Sequence, residues 1–538
     1  MIDTGKESFL KNKKWNNHLG LEVFRSLIGN KDRELLIDLS MDRKVIKSHM
    51  LIALSLIFSK EISKKTDKKR VGILFPPGIG GFIANIGVLF SGHIPVNLNF
   101  TLGSSAFQAC SKNADIDLVI TAAPVLFKLK DKRLKLPKNK IDLAKFLKGI
   151  SKFEIIKTWI LLKLLPLAVS EKFFKIPSLG GENEAGILFT SGSSGDPKGV
   201  VLSHKNILGN CEQIDAFGIL PEGETLLANL PIFHSFGFTV SLWYGLLRRM
   251  RSVTYPSPTD TRKCAEIIER EKVTVMLGTP TFFKPYVRKV EKSKLESLKY
   301  VIAGAEKTPP LLANDWENKF DCEYLEGYGL TETTPVISVN MPKCVKTLNG
   351  SGKRENSVGR MVQGVQAKIL DPDTLEPIDP ESQGILMLSG VNIFESYLNE
   401  PQKTAEVKKD SWFTTGDIAR FDKDGFLYIE GRLSRFSKIG GEMVPHSTIE
   451  NALIKAFEID ESEGRQLVVT GKTDKVKGEA LVILTTQQID GQGVINKLKE
   501  LGFANLWIPK IIKVVDHIPC LATGKLDLCE LSSVAASA

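Results

Sequence analysis

The apolar positions of this chain fall into short runs separated by amphipathic stretches. Val71–Phe75, Pro95–Leu98, Gly186–Phe189, Val273–Leu277, Tyr300–Ala303 and Tyr324–Glu326 read as buried strands, with helices over Phe82–Phe90, Asp260–Glu271 and Pro310–Phe320. That alternation predicts an α/β architecture of mostly parallel sheets covered by helices. Past Val358 the runs shorten to Ala367–Leu370, Gly384–Leu388 and Phe426–Glu430, which predicts a β-rich subdomain. A polar, Gly-rich connector, Gly431–Gly441, leads to a helix over Ser447–Phe457 and strands over Gln466–Val469 and Glu479–Thr485. The implied division is a large N-terminal body, residues 1–431, and a small mobile α+β C-terminal domain, residues 432–538.

Composition changes this picture little. Hydrophobic residues at 42% and charged residues at 25% exclude wholesale disorder. No Asp, Glu, Lys or Arg occurs from Val71 to Ser111, a length that raises the question of a membrane span. Pro76-Pro77, Gly78, Gly80-Gly81, Gly92 and Pro95 interrupt it, so it reads as a buried strand–helix–strand unit with both sheet faces covered. Residues 1–14 carry charges throughout and lack the apolar centre of a signal peptide. Seven scattered cysteines without a C-x-x-C pair exclude a disulfide scaffold or a structural zinc site and point to a reducing cytoplasm. The net charge of +10 suits an acidic partner or an anionic membrane surface. No recognition motif or aromatic-interleaved basic stripe supports nucleic acid as a partner.

The segment richest in chemistry is Thr190-Ser191-Gly192-Ser193-Ser194-Gly195-Asp196-Pro197-Lys198-Gly199, directly after a buried strand. Three glycines allow close backbone approach, the hydroxyls donate, and one lysine supplies positive charge, which together suit a polyphosphate. It is not the Walker pattern, because no G-K-[ST] closes it.

This string resembles the phosphate loop of the adenylate-forming superfamily: acyl-CoA synthetases, luciferases and peptide-synthetase adenylation domains. Further motifs of that superfamily follow in order: Pro231–Phe238, Ala303–Glu306, Gly327–Thr333, Thr415–Asp417, Gly431-Arg432 with Lys438–Gly441, and Thr523–Lys525. The resemblance implies an ATP-dependent, AMP-forming acid–thiol ligase. A carboxylate attacks the α-phosphate to give an acyl-adenylate and pyrophosphate, and a thiol then displaces AMP. Bringing two anions together calls for cations and preorganised donors. By resemblance, Thr190 to Gly195 and Lys198 hold phosphates, with Gly304, Ala305, Glu306, Tyr328 and Gly329 completing the nucleotide site. Tyr328 stacks on adenine, Thr331 binds the α-phosphate, Glu332 is the Mg²⁺ ligand, and Asp417 with Arg432 holds the ribose. Lys525 neutralises the transition state, and Gly440 and Gly441 line a pantetheine tunnel. His234 is either a core histidine or a neighbour of the acyl carboxylate. Ser434 stands at the pivot, where the superfamily usually has Asp or Lys.

Gly431–Val444, with Ala303–Lys307, Leu325–Gly329 and Lys477–Thr485, is similar to the ligase half of the bacterial bifunctional 2-acylglycerophosphoethanolamine acyltransferase/acyl-ACP synthetase. That family adds an acyltransferase and membrane region, whereas this chain begins at the ligase, which implies a stand-alone acyl-ACP synthetase. Its partners are then a long-chain fatty acid and holo-acyl carrier protein. The rival readings are a CoA-dependent long-chain ligase and a non-catalytic fatty-acid- or AMP-binding protein. Retention of Lys198, Glu332, Asp417, Arg432 and Lys525 together speaks against the last. Lys128 to Lys175 carries fourteen Lys/Arg against four Asp/Glu, around Trp159–Leu162. That composition suits a peripheral anionic membrane contact, an acidic carrier protein, or a solvated helical face. Phe236, Phe238, Trp243, Phe282 and Phe283 are candidates to line the acyl tunnel or to be plain core.

Overall fold

The computed structural model describes all residues except 12–13, 133, 192–196, 310, 344–351, 440–441, 462–464, 475–477, 521–525 and 538. Helices and strands alternate as the apolar pattern requires, and the strands assemble into four sheets. In the first, Glu184–Ser191, Ile94–Asn97, Arg70–Ile73, Leu118–Thr121 and Asn139–Asp142 run parallel, and Pro197–Ser203 and Ser396–Tyr397 add an antiparallel edge. In the second, six strands run parallel from Glu323–Gly329 through Tyr300–Ala303, Val275–Gly278, Thr225–Leu227 and Arg251–Thr254 to Glu34–Asp38. Their near-continuous apolar sequences follow from burial on both faces.

The unit free of charged residues is not a membrane span. The helix Ile79–Phe90 is buried and packs on the helix Ser48–Ile62. No helix among the described residues is long and apolar enough to cross a membrane. The helix starts three residues before the expected Phe82, taking Gly80 and Gly81 out of the predicted loop. Packing explains this: a Cβ would lie 2.8 Å from Phe75 at position 80 and 2.9 Å from Ile232 at position 81.

The expected β-rich region forms a third, antiparallel sheet around Val365–Leu370, Gly384–Gly390, Trp412–Phe421 and Leu427–Arg432, with Ile2–Asp3 at its edge. A fourth sheet is built wholly from residues 436–514. The stretch expected as an irregular connector is mostly regular: Leu427–Arg432 is a strand, Leu433–Arg435 a 3₁₀ turn and Phe436–Ile439 another strand. Burial causes the difference, because Phe436 packs with Leu370, Ile385 and Ile418 of the third sheet.

Candidate active site

The candidate phosphate segment lies between two antiparallel strands, Glu184–Ser191 and Pro197–Ser203. Thr190 pairs with Lys198 and Ser191 with Pro197 across it. Gly192, Ser193, Ser194 and Gly195 lie outside the described residues, as do Gly440, Gly441 and Lys525. Lys198 sits on the ascending strand, its Nζ 5.1 Å from the centre of the Tyr397 ring. Tyr397 belongs to the edge strand that pairs with the hairpin, and its hydroxyl donates to Glu332 Oε1 at 2.8 Å. One tyrosine thus joins the hairpin lysine to the carboxylate of the G-Y-G-L-T-E-T motif. Burial and the Glu332 charge both push the Tyr397 pKa up, so it remains a donor.

Glu332 itself is on the 3₁₀ turn Thr331–Thr333, tied down by Phe394 N donating to its carbonyl at 2.9 Å. Beside it, Thr331 Oγ1 donates to Ser235 Oγ at 3.4 Å. Two residues before the turn the chain has room only for glycine. A Cβ on Gly329 would lie 1.9 Å from the Pro335 carbonyl oxygen.

Asp417 is 3% exposed and pairs across adjacent strands with Arg432. Arg432 Nε donates to Asp417 Oδ1 at 2.9 Å, and its Nη1 donates to the Thr415 carbonyl at 2.9 Å. The Tyr328 hydroxyl donates to the other carboxylate oxygen. Each oxygen keeps further lone-pair capacity for hydroxyl donors. Burial pushes the Asp417 carboxyl above the usual carboxylate value, against the pull of Arg432. Burial followed by the Asp417 charge holds Tyr328 firmly protonated. Tyr328, Asp417 and Arg432 therefore form one linked group, drawn from two sheets.

A family model described as AMP-binding enzyme matches residues 55–398. The chain belongs to that family. Among its relatives, the long-chain-fatty-acid–CoA ligase of Bacillus subtilis is 27% identical over 486 residues, covering 85% of this chain and 84% of that protein. The mitochondrial medium-chain acyl-CoA ligase of Mus musculus is 31% identical over 360 residues, 64% of this chain and 56% of its own length. Among solved structures, O-succinylbenzoate coenzyme A synthetase from Bacillus subtilis, in complex with ATP and magnesium ion, superposes with a TM-score of 0.76. It is 21% identical and covers 96% of this chain and 99% of that one. This AMP-binding enzyme is an ATP-dependent, AMP-forming acid–thiol ligase.

In this AMP-binding enzyme, Gly304, Ala305, Tyr328 and Gly329 border a half-open cleft. Its other walls are mainly aliphatic: Ile214, Ile219, Leu220, Val240, Leu277 and Ile302, with Phe236 and Ser235 at one side. Leu277 and Ile302 stand toward the carboxyl ends of parallel strands, where open α/β sheets place ligands. Of the five aromatic candidates only Phe236 borders this cleft. Phe238 and Trp243 are buried edge-to-face, 5.8 Å apart, and Phe283 packs on Trp316 and Tyr324. Phe282 is partly buried against the main core. Phe236 and Val240 lie on a π-helix, Phe236–Tyr244, a geometry frequent at functional sites.

His234 is exposed and packs against Phe233 with ring centres 4.6 Å apart, so the core alternative does not hold. Glu306 is also exposed, its Oε2 accepting from Thr281 N at 3.2 Å and Oγ1 at 2.6 Å. Ser434 is exposed within the 3₁₀ turn.

Among the described residues no group of three His, Cys, Asp or Glu side chains gathers to hold a metal. A lone carboxylate at Glu332 fits Mg²⁺ of the kind that arrives largely ligated by substrate phosphates and water.

Proposed function

We propose that this AMP-binding enzyme activates a long-chain fatty acid as its acyl-adenylate and passes the acyl group to the phosphopantetheine thiol of holo-acyl carrier protein. What supports the acid is the cleft: its walls are apolar, and it ends against the nucleotide motifs. In this reading residues 1–431 carry the adenylation site and 432–538 form the small moving domain. Thr190 to Gly195 and Lys198 cradle the phosphates. Glu332, held by Tyr397, is the protein ligand for Mg²⁺, which when bound neutralises phosphate charge. Thr331 contacts the α-phosphate. Asp417 and Arg432 take the ribose hydroxyls, and the Tyr328 ring, fixed through its hydroxyl, stacks on adenine. Gly304, Ala305, Glu306 and Gly329 complete the nucleotide wall, and His234 lies near the acyl carboxylate. Lys525 supplies the mobile charge, Ser434 is the pivot, and Gly440 and Gly441 line the pantetheine path.

A second acceptor, CoA, is favoured by the names of the relatives, which are acyl-CoA ligases. AMP formation measured side by side from palmitate, ATP and Mg²⁺ with holo-acyl carrier protein or CoA separates the two. Turnover only on the carrier protein supports the proposal, and turnover only on CoA replaces the acceptor. No AMP with either overturns the fatty-acid reading. The peripheral membrane contact expected from the basic stretch belongs to the same proposal.

A further inference from the structure

Among the described residues, sixteen large apolar side chains stand exposed to solvent, and eight of them fall between Phe127 and Leu179. All three exposed phenylalanines, Phe127, Phe153 and Phe173, are in this stretch. The helix Lys152–Leu164 accounts for four of the eight. Its inner face buries Thr158 and Leu162, and the helix packs on Ser48–Ile62. Its outer face is apolar as well: Phe153 is 74% exposed, Ile156 53%, Ile160 41% and Leu164 75%. Steps of three, four and four residues put these side chains on one stripe, about 16 Å long.

A surface helix ordinarily turns polar residues outward, and one apolar all round is ordinarily buried. This helix does neither. Interspersed on the outer face are the exposed Lys152, Lys157 and Lys163. Its single acid, Glu154, is only partly exposed. The stripe continues into the next helix, Leu167–Phe173, where Val169, Lys172 and Phe173 are exposed. The acid there, Glu171, is neutralised by Arg25 Nε at 2.8 Å.

We infer that this outer face lies in the headgroup region of an anionic bilayer, with the helix Lys152–Leu164 parallel to the membrane plane. The inference deepens the membrane part of the proposed function and rests on the acyl-ligase reading only for its benefit, namely placing the enzyme where long-chain acids partition. An amphipathic helix in an interface buries its large side chains about 5–10 Å deep while lysines reach back to lipid phosphates. Protruding Phe, Ile and Leu on a convex helix suit that solvent. An acidic protein would be met by the lysines but would leave the stripe uncovered. Thirteen residues are too few to span.

The test is co-sedimentation of the full chain with vesicles of phosphatidylcholine, with and without phosphatidylglycerol. Wild type should bind the anionic vesicles. The variant F153S/I156S/I160S/L164S, altered only at exposed positions, should lose about tenfold or more of that binding. The variant K152Q/K157Q/K163Q should lose about fivefold per lysine on anionic vesicles and little on neutral ones. ATP–pyrophosphate exchange with a water-soluble short-chain acid should be unchanged in both, which separates failure here from failure of the ligase reading. Absence of wild-type binding, or binding indifferent to the apolar variant, overturns the inference. So does loss of carrier-protein binding without loss of vesicle binding.

Discussion

Replacing Tyr397 by Phe removes one atom from the place where the phosphate hairpin meets the motif carboxylate. The hydroxyl lost donates to Glu332 Oε1 at 2.8 Å, whereas the ring kept still faces Lys198 Nζ and packs 4.9 Å from the Phe394 ring. Strand pairing of Tyr397 with Val200 is a backbone matter and survives. A hydrogen bond to a charged group is worth about 1.5–3 kcal/mol. Glu332 is only partly buried, so water replaces part of the lost donor and the lower end applies. The expected cost is about tenfold in kcat/KM for adenylation, read by ATP–pyrophosphate exchange. If Tyr397 acts by holding Glu332 for the metal, the loss should concentrate at limiting Mg²⁺ and shrink at saturation. A purely structural role gives a lower thermal midpoint with an unaltered Mg²⁺ dependence, and that outcome refutes the reasoning.

If Asp417 accepts from the ribose hydroxyls as proposed, Asp417→Asn removes a charged acceptor and should weaken ATP binding about tenfold or more by calorimetry. Because burial raises the Asp417 pKa, wild-type ATP affinity should fall, as pH drops, at a pH above the usual Asp value of 3.8, while the Asn variant shows no such step. Gly329→Ala forces a Cβ to 1.9 Å from the Pro335 carbonyl, which should cost about 2–4 kcal/mol in denaturant unfolding and displace the Glu332 turn. Acid should destabilise the native state through His18 and His204, whose rings lie 4.2 Å apart. Their Nδ1 atoms accept from Gly20 N and Leu19 N. Burial pushes their pKa values from 6.5 down to about 4 and about 3. The unfolded chain therefore binds more protons below pH 6.5, and stability falls by about 1.6 kcal/mol per histidine between pH 6.5 and 5. An unfolding midpoint flat over that range contradicts the coupling.

The α/β pattern and the nucleotide motifs were legible because they are local. Tyr300–Ala303 and the C-terminal ends of the helices Ile79–Phe90 and Thr261–Glu271 match the apolar runs residue for residue. Tyr328 and Asp417 carry their chemistry in short strings, although 89 residues separate them. Tyr397 escaped because nothing in E-S-Y-L distinguishes a functional tyrosine from a packed one; only the pairing of its strand with the hairpin brings it to Glu332. The two alternatives for the aromatic candidates could not be separated in the sequence for a related reason. An apolar run does not say which side chain faces a cleft, so Phe236 lines one while Phe238, two residues on, is core.

The proposed pivot at Ser434 departs from its motif, and its neighbours bear on whether that matters. Arg432 is bound to Asp417 and Thr415 of the third sheet, and Arg435 is bound to Glu450 and the Val469 carbonyl within the fourth-sheet unit. Ser434 is exposed between two arginines anchored to different sheets. A residue so placed has only to allow a change in backbone dihedrals, and no side-chain chemistry is asked of it. Ser434→Ala should therefore leave both half-reactions within about twofold. Arg435→Ala strips Glu450, 2% exposed, of its closest cation. Arg465 remains at 3.8 Å and Val469 N at 2.7 Å, so the cost should stay near 3 kcal/mol. If residues 432–538 act in thioester formation as proposed, that step should suffer more than adenylate binding. Equal losses from Ser434→Ala and Arg435→Ala would place the pivot's function in the serine itself and refute the anchored-arginine account.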